Sequence, residues 1–293
     1  MFDGLFLGLN IQLMAEALPL LLLVAVAAWL LSLVAEDVSV VDYVWSLMSM
    51  LTASTYAYSG FYNSGSLGSG SSTAGSTNIV GVVLLAMVVI WALRLSGFLI
   101  LRSRNQPEDR RYRAIREKFS PHFELKSLAV IFLFQAFLAW IISSLFAVEY
   151  SVDTEISWGY LHSIGVFLWL LGMAFETVAD IQLYRFNKLV VRETQTLTTG
   201  LWRYSRHPNY FGECCIWWGW AIFVLPCAIE TQMSVLWVFV APVVMTLLLL
   251  KVSGVANMER GIVERRPDYR DYIEATNAFF PWKPARKVSG DRQ

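Results

Sequence analysis

The sequence predicts an all-α fold, a polytopic membrane bundle of about seven transmembrane helices, and three observations carry that prediction. Hydrophobic residues make up 56% of the 293-residue chain and charged residues only 16%, against roughly 25% charge in an ordinary soluble domain. Mean hydropathy is +0.50. Seven apolar runs approach or exceed the roughly 20 residues of helix that cross a hydrocarbon core about 30 Å thick: Ile11 to Val34, Val40 to Tyr58, Ile79 to Leu101, Leu128 to Val148, Trp158 to Ala179, Tyr210 to Pro226 and Ser234 to Lys251.

The elements are read in chain order. Met1 to Asn10 has no basic residue, so it lacks the charged region of a cleavable signal, and the first run is expected to stay as an uncleaved anchor. The second run starts with an acid, Asp42, in "VVDYVWSL". The connection "GFYNSGSLGSGSSTAGSTN" that follows has no lysine or arginine and is expected to be a flexible external linker. It holds Gly68 and Gly70 without a third glycine or a preceding strand, which excludes a dinucleotide phosphate loop. Between the third and fourth runs lie Arg102, Arg104, Arg110, Arg111, Arg113, Arg116, Lys118 and Lys126; between the fifth and sixth lie Arg185, Lys188, Arg192, Arg203 and Arg206. Basic loops alternate with loops lacking basic residues. The positive-inside rule therefore places the N-terminus outside and the C-terminus in the cytoplasm; a bacterial inner membrane is the expected location over the endoplasmic reticulum, although orientation alone does not separate the two.

The totals exclude other classes. Twenty-three basic and 23 acidic residues cancel, which argues against a nucleic-acid partner. Cys214, Cys215 and Cys227 form no CxxC and are odd in number, so neither a disulfide framework nor a zinc site is expected. The chain reads as one integral-membrane domain over 1–293, with 283–293 as a cytoplasmic tail.

The densest chemistry is "TGLWRYSRHPNYFGE", Thr199 to Glu213, at the mouth of the sixth run. Arginines at a helix N-terminus oppose the macrodipole, so a compensating anion is expected there. Anionic lipid would attract the charge. It would not require Tyr204, His207, Asn209, Tyr210 and Glu213 beside it.

This string, followed by "WWGWAIF", resembles the signature of the steroid 5-alpha-reductase-like membrane enzymes, in their uncharacterised bacterial branch. "RNQPEDRRYRAIREKF", "ETVADIQLYRF" and "ERRPDYRDYIEATNAFFPW" occur in the same order as in that branch, so the resemblance covers about 40–282. It implies a helical bundle that takes NADPH from the cytoplasm and reduces a conjugated carbon-carbon double bond in a hydrophobic, steroid-like or isoprenoid-like carbonyl compound. It also implies that Asn209, Glu213 and Trp217 contact the cofactor; their spacing of four puts them on one helix face. Asp180 matches the family's acid at the cytoplasmic end of the fifth helix, suited to ribose hydroxyls or to positioning an arginine. Arg185, Arg203 and Arg206, with Arg102 and Arg104 from the other loop, are expected for the phosphates, because guanidinium forks suit them. His207 either donates to a phosphate or caps the turn before Pro208. Tyr204 and Tyr210 either stack on a cofactor ring or sit in the interfacial belt. Glu259 is expected to pair with a basic residue on the same side, and Arg265 and Tyr269 are cofactor-side candidates.

Reduction of such a bond needs an acid at the carbonyl as enolate charge develops. Asp42 is the catalytic candidate. The family's steroid-reducing members carry glutamate near the start of the second span and tyrosine on the third, where this chain has Asp42 and Trp91. Arg94, deeper in the third span, either pairs with Asp42 or snorkels to the interface. Two alternatives stand beside the reductase. One is an S-adenosylmethionine-dependent methyltransferase of the isoprenylcysteine type, which shares Arg-His-Pro-x-Tyr but usually has adjacent glutamates where this chain has Met258 and Glu259. The other is a non-enzymatic membrane protein that binds lipid headgroups.

Overall fold

The computed structural model describes residues 5–6, 9–63, 78–104, 106–151, 156–188, 195–231, 235–252, 259, 262–263, 266 and 268–286. The long helices are α1 (Ile11–Ala35), α2 (Val40–Asn63), α3 (Ile79–Ser103), α5 (Phe123–Tyr150), α6 (Tyr160–Asn187) and α7 (Pro208–Glu230). The shorter ones are α4 (Arg110–Phe119), α8 (Val235–Lys251) and α9 (Tyr269–Ala275). Beyond helix, the described residues include a two-residue pairing of Leu5–Phe6 with Leu9–Asn10. The fold is therefore an all-helical membrane bundle. Most of the serine- and glycine-rich linker expected between the second and third runs, residues 64–77, lies outside the described residues.

Among the described residues five helices, α1, α3, α5, α6 and α7, are long and apolar enough to cross a membrane. The other two expected spans differ for identifiable reasons. Helix α2 has the length but carries Ser46, Ser49 and Thr52, which are fully buried. Helix α8 is short and changes its winding, from α-helix at Val240–Leu247 to a wider π turn at Leu248–Val252.

The chain forms two compact units, Met1–His162 with Val224–Ala241, and Ser163–Phe223 with Pro242–Gln293. In the first, α2 packs against α1, α3 and α5. Beyond Gln12 and Glu16 near its start, helix α1 is almost wholly apolar, as suits a helix facing lipid. Leu13, Ala17, Leu21 and Ala25 are buried while Leu23, Leu30 and Val34 are exposed. The Asn10 side chain accepts from Leu13 N (2.9 Å) to cap α1, and Asn78 accepts from Gly81 N (2.8 Å) to cap α3. One α2 hydroxyl is paired across the α2–α3 seam, where Ser46 Oγ lies 2.8 Å from Ser96 Oγ and Ser96 Oγ donates to Tyr43 O (2.5 Å), while Thr52 Oγ1 donates to Met48 O of its own helix (2.9 Å). Inside a bilayer such pairing is required, because no water is present to take these groups.

The second unit is organised by α6 and α7. Gly165 and Gly172 on α6 face Gly219 and Gly212 on α7, both pairs seven residues apart. A Cβ added at Gly172 would stand 2.5 Å from Gly212 O, and one at Gly212 would stand 2.6 Å from Glu176 N. The two backbones are in direct contact, as glycine permits between membrane helices. Helix α6 also runs past its expected end at Ala179 to Asn187, so Asp180 lies two turns inside the helix instead of at its terminus.

Gly172→Ala should cost about 1–3 kcal/mol by overpacking, read as a lower melting temperature of the detergent-purified protein. Gly97→Ala, where the added Cβ meets nothing within 4 Å, should be neutral or stabilise by about 0.5–1 kcal/mol through helix propensity.

Candidate functional site

The polar residues of the second unit collect along the contact between α6 and α7. Glu176 and Asp180 lie one turn apart on α6, and Asn209, Glu213 and Trp217 lie at successive turns of α7. Glu176, Asp180 and Glu213 are each no more than 6% exposed, and Trp217 is fully buried. Asn209 Nδ2 donates to Asp180 Oδ1 at 3.3 Å, joining the two helices, while Asn209 Oδ1 accepts from Tyr210 N (3.1 Å). Trp217 Nε1 donates to Glu213 Oε1 at 2.8 Å. The structure thus joins Asp180 to Asn209 and Glu213 to Trp217 along the α6–α7 contact. Glu176 was missed by the sequence reading, although an acid within an apolar run and four residues before Asp180 was a legible signal.

Two arginines flank this cluster at its polar end. Arg203 belongs to a short 3-10 turn, Gly200–Arg203, where positive φ at Gly200 (63°) lets the chain reverse. The turn is stitched to α6: Leu201 N donates to Gln182 Oε1 (3.0 Å) and Trp202 Nε1 donates to Ala179 O (3.1 Å), beside Asp180. Arg185 sits in the last turn of α6. Both guanidinium-bearing residues are exposed.

Arg206 has a different fate from the one expected. It is 8% exposed, and its Nε and Nη2 donate to the two oxygens of Glu259 (2.6 and 3.1 Å), while Nη1 donates to Ile273 O (3.0 Å) and Thr276 O (2.5 Å). A guanidinium has five N–H donors. With these contacts made, Arg206 is a clamp on the C-terminal segment, and a phosphate-binding role is corrected to an internal one. Glu259 pairs with a basic neighbour as expected, and it also receives His207, whose Nε2 lies 3.2 Å away. His207 is 4% exposed and stacks on Tyr210 with centroids 5.3 Å apart. Its ring thus meets Glu259 through Nε2 and Tyr210 by stacking. Burial pushes the Glu259 carboxyl up, but hydrogen bonds from His207 and Arg206 outweigh it and hold the group below the usual carboxylate range.

The C-terminal segment is held by further bonds. Tyr272 OH donates to Trp202 O, Ser205 Oγ donates to Phe279 O (2.8 Å), and Trp282 N donates to Tyr204 O (2.9 Å). Tyr269 is buried with its edge against Tyr272 (5.5 Å), so it packs in the core of this segment. Tyr204 is 42% exposed. Arg265 lies outside the described residues.

Asp42, Arg102 and Arg104 belong to the first unit. Asp42 Oδ2 accepts from Arg111 Nη2 (2.8 Å) and Oδ1 from Tyr112 OH (2.5 Å). Both oxygens are engaged by α4, so the geometry presents Asp42 as an anchor of the basic loop. Burial and then the Asp42 carboxylate push the Tyr112 phenol well above its ordinary value, which keeps it a donor. Arg94 is on α3 and is not the residue that meets Asp42 in these bonds. Arg102 and Arg104, at the end of α3, are exposed.

Residues 28–276 match the family described as protein of unknown function (DUF1295). The chain belongs to that family. Comparison with curated proteins and with solved structures returned no match. The matched span includes α2 through α9, and with them every described member of the α6–α7 cluster.

Two consequences follow from the clamp. Arg206→Ala should lower stability by about 3 kcal/mol, since it takes two bonds from Glu259, leaving it only His207, and leaves two carbonyls without this donor. Because Glu259 sits below its ordinary pKa, its contribution is present at neutral pH and is lost as pH falls through that lowered value. The melting-temperature gap between wild type and Glu259→Gln should therefore be full at pH 7 and shrink below about pH 4.

Proposed function

We propose that this protein is an NADPH-dependent membrane reductase of the steroid 5-alpha-reductase-like kind, acting on a conjugated carbon-carbon double bond in a hydrophobic carbonyl substrate. The observation that carries the reading is the Asn209–Asp180 bridge between α6 and α7, in which half-buried Asn209 meets buried Asp180, with Arg185 and Arg203 exposed at the same end. A phosphorylated dinucleotide combines charged phosphates with ribose hydroxyls and an amide. This end of the second unit has the matching parts: guanidinium groups at the surface, and carboxylate and amide groups behind them. The resemblance of "RHPNYFGE" to the reductase signature supports the same conclusion. Under this reading the basic end faces the cytoplasm, where soluble coenzyme is found.

In the proposed mechanism Arg185 and Arg203 hold phosphate oxygens, and Asp180 accepts from ribose hydroxyls while Asn209 fixes its orientation. Glu213 is positioned by Trp217, and the apolar walls of α6 and α7 exclude water from the reacting end. NADPH, when bound, supplies the hydride. The proton-side group is not assigned to Asp42, whose two oxygens are taken up by Arg111 and Tyr112.

Titration calorimetry on the detergent-purified protein, with NADPH and S-adenosylmethionine in parallel, tests the reading. NADPH should bind saturably. Asp180→Asn and the pair Arg185→Gln with Arg203→Gln should each weaken it about tenfold or more, the scale of one charge-assisted hydrogen bond. Preferential binding of S-adenosylmethionine would establish the methyltransferase alternative, and no saturable binding of either would favour the headgroup-binding one.

A further inference from the structure

The sequence offers Arg102 and Arg104, in the basic loop between α3 and α5, as phosphate ligands for a soluble coenzyme, but the structure of that loop in the first unit suits another use. Helix α4 connects the ends of two membrane-crossing helices, so it lies at a membrane–water boundary. It is held there by acids turned inward. Glu108 Oε1 accepts from Val38 N (3.1 Å), Asp109 N donates to Ser39 Oγ (3.0 Å), and Asp42 receives Arg111 and Tyr112. Arg116 Nη2 in turn donates to Glu108 Oε1 at 2.8 Å. Burial pushes Glu108 and Asp109 up, but their hydrogen bonds, from Arg116 and Val38 and from Arg111 respectively, outweigh it and hold both below the usual carboxylate range. These acids remain charged at neutral pH and meet arginines of their own loop, Glu108 with Arg116 and Asp109 with Arg111.

What is left outside is positive. Arg102, Arg104, Arg110, Arg113, Lys118 and Lys126 are all exposed, whereas the exposed acids of the described residues between 102 and 126 are Glu117 and Glu124. Glu36, at the end of α1, is a third exposed acid nearby. Six bases against three acids leave a net positive rim. That rim adjoins exposed aliphatic surface: Leu101 is 61% exposed next to Arg102, and Leu125 is 69% exposed next to Lys126. A soluble nucleotide has no use for exposed leucines, while a phospholipid offers an anionic headgroup and an acyl chain in that order along the membrane normal.

We propose that the outer face of α4, with the flanking ends of α3 and α5, is a docking surface for anionic phospholipid headgroups of the adjoining leaflet. Phosphate oxygens meet Arg110, Arg113 and Lys118, and acyl chains lie along Leu101 and Leu125. The surface is independent of the coenzyme reading, since it uses no residue of the α6–α7 cluster.

The full-length protein, purified with residual lipid and offered equimolar phosphatidylglycerol and phosphatidylcholine, should retain the anionic lipid about tenfold in preference by native mass spectrometry. The preference should fall steeply as ionic strength rises. Arg110→Gln combined with Arg113→Gln and Lys118→Gln should abolish it while the melting temperature is unchanged, because Arg111 and Arg116, which hold α4 in place, are kept. Equal retention of the two lipids by wild type, or full preference in the triple variant, would overturn the proposal. Displacement of phosphatidylglycerol by NADPH at micromolar concentration would overturn it too, by showing that the face serves the nucleotide. Should the triple variant melt early, the salt dependence of the wild type decides alone.

Discussion

The bare backbone contact between α6 and α7 is the constraint on which the second unit depends. With glycine at 165, 172, 212 and 219, the helices approach until a single methyl group would overlap main-chain atoms. Closeness of that order has an electrostatic consequence. Glu176 and Asp180, which continue the same stripe on α6, are carried inward although they are not apolar, and half-buried Asn209 on α7 meets Asp180 there. Burying them is costly in a medium that offers no water, so the packing of the glycines has to supply what the polar groups lose. An acidic cluster held in this way is a feature that packing alone would not select.

Arginines close together in the sequence have separate physical fates. Arg203 is exposed on a turn fastened to α6, whereas Arg206, three residues later, turns inward and fastens the C-terminal segment. The difference lies in what each meets. Partners of Arg206 come from Glu259, Ile273 and Thr276, more than fifty residues away in sequence, and no local pattern in "RYSRHPNY" announces them. Asp42 is the same case, because Arg111 and Tyr112 reach it from the next loop but one. Sequence spacing reveals which residues share a helix face; it does not reveal which long side chain finds a distant acceptor first.

What was legible follows the same division. Lengths of apolar runs identified the crossing helices, because bilayer thickness is a one-dimensional constraint that a sequence displays directly. Helix ends were less legible. Hydropathy falls at Asp180 and Gln182, yet α6 continues to Asn187 because a helix leaving the bilayer needs only backbone partners, and the turn at Leu201 and Trp202 secures its last stretch. In α2 the reverse occurred: Ser46, Ser49 and Thr52 lower its hydropathy, but they are buried among neighbouring helices instead of facing lipid. Asp180, Asn209, Glu213 and Trp217 were recognisable as a group since two fixed spacings of four and one motif placed them. Glu176 shared that spacing and escaped notice because no motif marked it.

The carboxyl oxygens of the cluster constrain how any phosphorylated ligand is accommodated. Glu176, Asp180 and Glu213 are buried within two turns of one another along α6 and α7. A phosphate among them would set its oxygens against carboxyl oxygens, acceptor against acceptor, with no water between them to relieve the mismatch. Under the proposed reading the phosphates therefore stay outside, at Arg185 and Arg203, and the portion that goes inward must present hydrogen-bond donors to carboxylates. Ribose hydroxyls and a carboxamide are donors of that kind. His207 and Tyr210 then form the boundary between the two zones. Glu259 holds the ring of one in place, and the ring of the other stacks on it. The C-terminal clamp is in this sense part of the site: by fixing Glu259 with Arg206, it keeps an additional carboxylate neutralised by its own partners and out of the competition for the ligand's positive edge.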